Sequence, residues 1–410
     1  MQSTFSALSH RNFRLFWTGQ CVSLIGTWMQ SIAQNWLVLQ LTGSAFRLGL
    51  VSAAQFLPLL LFSLYGGVIA DRYPKRNILL LTQSLLLCQA VVLATLTWTG
   101  VVRYEHVLAL AFGLGMINSL DMPTRQAYVM ELAGREDLMN AVALNSAAFN
   151  AARLVGPALA GLIMGRFSTA ACFSVNACSF LAVLAGLFAI PPGGKAECGP
   201  DRGVWRGIAD GARYISRTAQ IAEPLLLLGW LSVFAMNFGV LIPSFARFTL
   251  HGGPGVYGLL MSAMGAGAMI GALTLAALSR CGPKRWILAL AGLGLCVTQI
   301  ALLRLCVFPL AAAALFFTGF AMVFFNASTN STLQIEAGAE YRGRVMSVYS
   351  LFLGGLTPIG SLFAGAVTQR TNPAVALAVG GTVGLAGLLV MGLRWLRTAR
   401  PHYEEGLTPP

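Results

Sequence analysis

Charge is what this chain has least of. Only 10% of its 410 residues are Asp, Glu, Lys or Arg, against 56% hydrophobic. A water-soluble globular protein carries about 25% charged residues, so that class is excluded. Histidine is scarce too: His10, His106, His251 and His402 are the whole supply, all at the ends of apolar stretches or in the tails. Six of the cysteines (Cys21, Cys88, Cys172, Cys178, Cys296, Cys306) lie within apolar stretches, and none forms a C-x-x-C pair. Neither a disulfide framework nor a metal site is expected. There is no H-E-x-x-H, no G-x-x-x-x-G-K-[ST] phosphate loop and no G-x-S-x-G elbow. Nothing points to an enzyme or a cofactor, and ATP hydrolysis through a phosphate loop is excluded.

Apolar stretches are what the chain has instead. They are centred near 13–40, 46–70, 77–99, 105–130, 139–165, 168–190, 224–248, 255–279, 284–306, 307–333, 345–367 and 374–396. Each is long enough to cross a hydrocarbon layer of ~30 Å as a helix. The expected class is therefore all-α integral membrane, with twelve transmembrane helices. The net charge of +13 suggests nucleic acid until its distribution is read. With the N-terminus inside, twenty Lys and Arg fall on the cytoplasmic side, six outside (Arg47, Arg103, Arg166, Arg247, Arg304, Arg370), and Arg153 alone within a span. That is the positive-inside bias, so the basic balance reports topology and no nucleic-acid partner. The first span is too long and too polar for a cleaved signal, and it is expected to stay as a membrane helix.

Pro191-Pro192-Gly193-Gly194 opens the one long connection. It divides the chain into residues 1–190 with six spans, a cytoplasmic connection at 191–222, residues 223–398 with six more, and a cytoplasmic tail at 399–410. Within the connection Trp205, Ile208, Ala212 and Ile215 recur at helical spacing, with Arg206, Asp210, Arg213 and Arg217 on the other faces. That pattern predicts an amphipathic helix on the inner membrane surface. The halves echo each other: "GVIADRYPKR" (67–76) and "LSRCGPKR" (278–285) join equivalent spans. Six-helix repeats with a site near the midplane are how many secondary transporters are built.

Three spans carry polar or aromatic stripes. Gln20, Ser23, Thr27, Gln30 and Gln34 follow one face of span one. Trp230, Phe234, Asn237, Leu241 and Ser244 repeat the spacing in span seven, and span ten offers Phe320, Phe324, Asn326, Asn330 and Gln334. Lipid cannot satisfy such groups, so each stripe faces the bundle interior or a water-filled path. Bonds that merely hold helices together account for any single amide equally well. Asp121 lies in the body of a span, about 24 Å from its outer end. It can carry a proton, or pair with Arg125, Lys75 or Arg76.

Gly67-x3-Asp71-Arg72-x-Pro74-Lys75-Arg76 resembles the loop signature of the major facilitator superfamily, with Pro74 in the usual glycine place. Span five is similar to that superfamily's antiporter motif. It reads Ala143-x8-Ala152-x3-Gly156-Pro157-x2-Ala160-Gly161, with three glycines replaced by alanine. "DMPTRQA" (121–127) and "YRGRVMSVY" (341–349) resemble the branch containing bacterial enterobactin and macrolide exporters. The resemblance implies two pseudo-symmetric six-helix bundles around a shared cavity lined by spans one, five, seven and ten. It also implies a cytoplasmic gate of Gly67, Asp71, Arg72, Lys75 and Arg76, joined by Asp121 and Arg125, that latches as the halves rock.

Arg153 lies about 21 Å up span five, close to mid-membrane. It shares a face with Ser146, Phe149 and Asn150, and no carboxylate is assigned to its depth. A guanidinium there attracts anionic or acceptor-rich solutes. The alternative is that it bonds carbonyls freed by Pro157, or pairs with an acid assigned to another depth. The expected protein is a monomeric multi-pass transporter of a bacterial inner membrane, both termini cytoplasmic, exporting a small amphiphilic solute by alternating access in exchange for protons. An importer or facilitator on the same fold is the alternative within transport. A lipid-handling or signalling membrane protein is the alternative outside it.

Overall fold

The computed structural model describes residues 5–134, 136–192, 213–277, 285–338 and 340–398, and within them every regular element is helical. A short turn at Ser6–Ser9 leads into α1 (Arg11–Thr42), α2 (Ala45–Arg72), α3 (Lys75–Trp98), α4 (Tyr104–Ala133), α5 (Leu138–Arg166) and α6 (Thr169–Ala189). After the connection come α7 (Ala219–Phe234), α8 (Phe238–Ser244), α9 (Pro254–Ala277), α10 (Arg285–Ala301), α11 (Phe308–Glu336), α12 (Arg342–Ser350), α13 (Thr357–Arg370) and α14 (Pro373–Thr398).

Local chemistry sets the boundaries. Ser44 and Ser168 cap α2 and α6 by accepting from the amides of Arg47 (3.2 Å) and Ala171 (3.3 Å). Gly43 ends α1 with φ 60, a left-handed conformation that glycine adopts without penalty. The span Ala219–Thr249 is broken between α7 and α8. There the Asn237 side chain donates to the Val233 carbonyl at 2.7 Å, and the Asn237 carbonyl restarts the helix by accepting from Val240 and Leu241.

Ten helical segments of the described residues are long and apolar enough to cross a membrane, and Trp286–Ala301 is a shorter apolar helix. At 32 residues α1 is long enough, but its amides and hydroxyls keep it outside that apolar set. Most of the predicted amphipathic connection lies outside the described residues, as do the second loop copy before Arg285 and the C-terminal tail. Only its last turn, 213–217, is seen as helix, anchored by Tyr214 stacked on Tyr341 at 4.3 Å.

Short connections make successive helices antiparallel, giving the bundle two ends. The near end carries the starts of α1, α3 and α5; the far end carries the turns after α1, α3 and α5. Helices α1–α6 meet the later helices mainly as α5 against α9 and α2 against α13. These contacts gather toward the far end. Gly49 faces Ser361 and Gly365, and Ser44 donates to Gln369 at 2.9 Å.

Candidate functional site

The stripe on α1 divides in two. Gln20, Ser23, Gln30 and Gln34 are buried, and only Thr27 is exposed. Gln30 donates to Gln89 of α3 (2.9 Å) and accepts from Asn176 of α6 (2.7 Å), while Gln34 donates to Gln55 of α2 (3.1 Å). Interhelical bonding is worth most where no water competes, so these amides are spent holding α1 among α2, α3 and α6. Of the residues expected to line a cavity from α1, Thr27 alone has its side chain free to do so.

Asp121 is fully buried. It accepts from Thr82 (2.7 Å) and Gln83 (2.8 Å) of α3 and forms an ion pair with Arg125 one turn along α4. Arg125 in turn donates to Gln20 of α1 at 2.8 Å. Of the three cations named as possible partners of Asp121, Arg125 is the one that pairs with it. Lys75 pairs with Glu131 instead (3.3 Å), and Arg76 donates to the Leu187 carbonyl (2.9 Å). Both hold α3 within the first six helices. Asp71 is exposed at the end of α2 and makes no ion pair among the described residues. Gly67 has open space where a Cβ would stand. Among the described residues one other carboxylate is buried: Glu223, 7% exposed near the start of α7. The run Pro224–Leu228 immediately after it was the available signal.

Arg153 reaches from α5 to α11, where its Nη2 lies 3.8 Å from the Met322 sulfur. Its Nε is buried without a partner, and no carboxylate pairs with it among the described residues. One turn earlier on α5, Phe149 is 46% exposed and meets Trp28 edge-on at 5.8 Å, while Asn150 bonds back to the Ser146 carbonyl (2.9 Å). Pro157 has no amide hydrogen for the Arg153 carbonyl. That carbonyl faces α9 instead, where a Cβ at Gly265 would stand 2.7 Å from it.

The antiporter-like residues build a seam. A Cβ at Gly156 would lie 2.6 Å from the Trp28 Cβ, and one at Gly258 would lie 2.5 Å from the Pro157 carbonyl and 2.7 Å from the Gly161 Cα. Small residues here let the backbones of α5 and α9 touch. Beside the seam, Asn35 of α1 donates to the Gly239 carbonyl (3.1 Å) and to the Tyr257 hydroxyl (3.4 Å). Trp36 stacks on Tyr257 at 6.0 Å, and Arg247 sits 5.9 Å from the Trp36 ring centre. This far-end cluster escaped the sequence reading. Its members are single residues on separate spans, and only the glycine spacing of α9 (258, 265, 267, 271) signalled close packing.

The aromatic stripes are placed less centrally than expected. Trp230 donates to the Val383 carbonyl of α14 (2.8 Å) and packs on Phe234, which meets Phe363 of α13 edge-on at 5.1 Å. Those rings serve packing against α13 and α14, and Asn237 serves the helix break. On α11, Phe320 and Phe324 stack at 5.1 Å. Asn326 lies one turn beyond Met322. Its carbonyl accepts from the Tyr349 hydroxyl (3.2 Å), and its Oδ1 is buried without a partner. Asn330 accepts from Gln334. The arrangement brings Arg153 onto Met322, one turn from Asn326 along α11, while Trp230 and Phe234 contact Val383 and Phe363.

The family model described as transmembrane secretion effector, a major facilitator family, matches residues 2–407. The chain belongs to the major facilitator superfamily. It is similar to the multidrug efflux pump Tap of Mycolicibacterium fortuitum, 28% identical over 91% of this chain and 93% of that protein. Its likeness to the staphyloferrin A transporter of Staphylococcus aureus is 31% but spans only 42% of this chain and 44% of that one. The solved nucleoside transporter NupG shares the fold, with TM-score 0.76 at 12% identity over 94% of this chain and 99% of the other. This major facilitator protein is thus a multi-pass membrane transporter with efflux pumps among its relatives, and not an enzyme.

Proposed function

We propose that this transporter is a proton-coupled exporter of small acidic or neutral, acceptor-rich amphiphiles, working as a monomer in a bacterial inner membrane with both termini cytoplasmic. Twelve spans, counting α1 and α10, form two six-helix halves, residues 1–190 and 223–398, that rock about a cavity reached by Thr27, Phe149, Arg153 and Asn326. The near end is cytoplasmic on the positive-inside distribution, so the contacts gathered at the far end correspond to an inward-open state. Asp71, exposed at that open end, is then the released half of a latch that engages the second half when the near end closes. The efflux relatives support export.

The observation that carries the substrate class is Arg153, a guanidinium with a buried Nε and no carboxylate partner among the described residues. Arginine stays charged at physiological pH, and a central cation disfavours the lipophilic cations that a multidrug pump could otherwise take. Flux into sealed inside-out vesicles tests the reading. Carboxylated amphiphiles should accumulate when the interior is acidic, and accumulation should collapse when the pH gradient is dissipated. Preferred uptake of lipophilic cations overturns the substrate class, and uptake indifferent to the gradient overturns the coupling.

A further inference from the structure

The far-end cluster holds more hydrogen-bond donors than acceptors. Among the described residues Arg247 Nη1 is buried with no partner, and so is Trp36 Nε1 in a side chain only 5% exposed. Tyr257 is fully buried, and its hydroxyl oxygen accepts from Asn35 at 3.4 Å, which leaves its hydrogen to donate. The three groups share one indole: the Arg247 Cζ lies 5.9 Å from the Trp36 ring centre, and the Tyr257 ring stacks on it at 6.0 Å with 20° between planes. The nearby Gly239 carbonyl accepts from Asn35. No carboxylate pairs with Arg247 among the described residues.

We propose that Arg247, Trp36 and Tyr257 form a binding site for a small anion, chloride or a carboxylate group, at the closed far-end gate. Buried donors left without acceptors are costly, and a buried cation without a counter-charge more so. A water molecule accepts from such donors but brings two hydrogens that need acceptors of their own. An anion brings none. The surroundings favour negative charge as well. Arg47, Arg103, Arg166, Arg304 and Arg370 all lie near the same end, where Glu105 of α4 is the one acid among the described residues. The site is built from both halves of the chain, Trp36 on α1 with Arg247 beyond α8 and Tyr257 on α9. It is complete only while the far end is shut, so an occupying anion favours the near-end-open state. This inference stands apart from the assignment of Arg153 to the substrate.

The test is thermal unfolding of the purified full-length chain, with sodium isethionate, a bulky sulfonate that is neither proposed ligand, exchanged for sodium chloride, or in a second series for sodium acetate, at constant ionic strength. A saturable rise in Tm is expected in the wild type. Trp36→Phe keeps the stacked ring and removes the N–H, and it should weaken the apparent affinity about tenfold, the loss of one buried bond to a charged group. Arg247→Gln should abolish the effect, while Arg247→Lys should keep part of it. A response to acetate equal to that of chloride identifies a carboxylate-accepting site; a response to chloride alone identifies an inorganic-anion site. The proposal fails if neither salt acts saturably, or if Trp36→Phe and Arg247→Gln respond as the wild type does, which would leave ordered water only.

Discussion

The two ends of the bundle are built on different chemistry. At the far end the halves meet backbone to backbone, with Gly161 against Gly258 and Gly49 against Gly365. Aromatic rings of Trp36 and Tyr257 fill the remaining space. At the near end Lys75 pairs with Glu131, Arg76 donates to the Leu187 carbonyl and the Gly338 amide donates to the Tyr214 hydroxyl, so these polar contacts bind each half to itself. A glycine seam depends on shape and responds little to salt or pH. Exposed ion pairs are worth only about 0–1 kcal/mol each and are made and broken cheaply. On the proposed mechanism one end is a shape-defined gate and the other a charge-defined one.

The seam offers the largest way to break this contrast. Gly258→Leu puts a branched side chain where even a Cβ would lie 2.5 Å from the Pro157 carbonyl. The far end should then be unable to shut, and transport should fall to background. A cysteine in place of Asn35 (Asn35→Cys), in a chain freed of native cysteines, should become reactive to an impermeant maleimide. Normal transport with Asn35→Cys still protected would show that the seam is incidental to the gate.

Arg153 sits between the two gates and comes next in expected size. Arg153→Met should lower flux of acidic amphiphiles about tenfold or more, the equivalent of ~1.4 kcal/mol or above, with normal membrane insertion. Arg153→Lys should retain part of the activity, since the charge survives and the planar fork does not. Methionine supporting full flux would reduce Arg153 to a packing partner of Met322.

The charge-defined gate should be more forgiving. Asp71→Asn is expected to lower flux about threefold to tenfold by shifting the balance of two states. It should also raise labelling at Thr27→Cys from the near end. Gln30→Cys should stay protected, since Gln30 is buried between Gln89 and Asn176. Unchanged flux in a well-inserted Asp71→Asn protein would make the cluster a topology signal only.

These expectations also mark what was legible in the sequence. Helix positions were, because runs of ~20 apolar residues have few alternatives in a membrane. The face of α1 that carries polar groups was legible too, yet not its purpose. Periodicity says that Gln30 and Thr27 look the same way, while the difference between a bonded amide and an open hydroxyl depends on Gln89 and Asn176, far along the chain. The same limit hid the far-end cluster. Trp36, Arg247 and Tyr257 carry no shared spacing, and only packing joins them. The packing of Trp230 and Phe234 was not legible either, because aromatic side chains at helical spacing suit a lining and a helix–helix contact equally.

The smallest effect belongs to the near end and concerns pH. Asp137, at the start of α5, accepts from the Ser6 hydroxyl at 2.5 Å and meets His10 Nε2 at 2.7 Å. These bonds, the one from Ser6 foremost, hold its carboxyl below the ordinary value of 3.8. A carboxylate whose value is lower folded than unfolded lends its stabilisation above the unfolded value and loses it as pH falls through the folded one. The turn at Ser6–Ser9 should therefore stay docked on α5 at pH 5 and loosen only below the usual carboxylate range. Hydrogen exchange of the Ala7 to His10 amides, followed against pH, reads this directly. Asp137→Ala should speed that exchange modestly at every pH and flatten its rise in acid. The change should be small, because the pair is solvent-exposed and the Ala7 amide also donates to Asn140 at 3.1 Å. Flux should barely move, since the turn docks within one half and crosses neither gate. If Asp137→Ala instead abolished transport, the near end would be closed by more than the latch at Asp71, and the N-terminal turn would have to be counted among its moving parts.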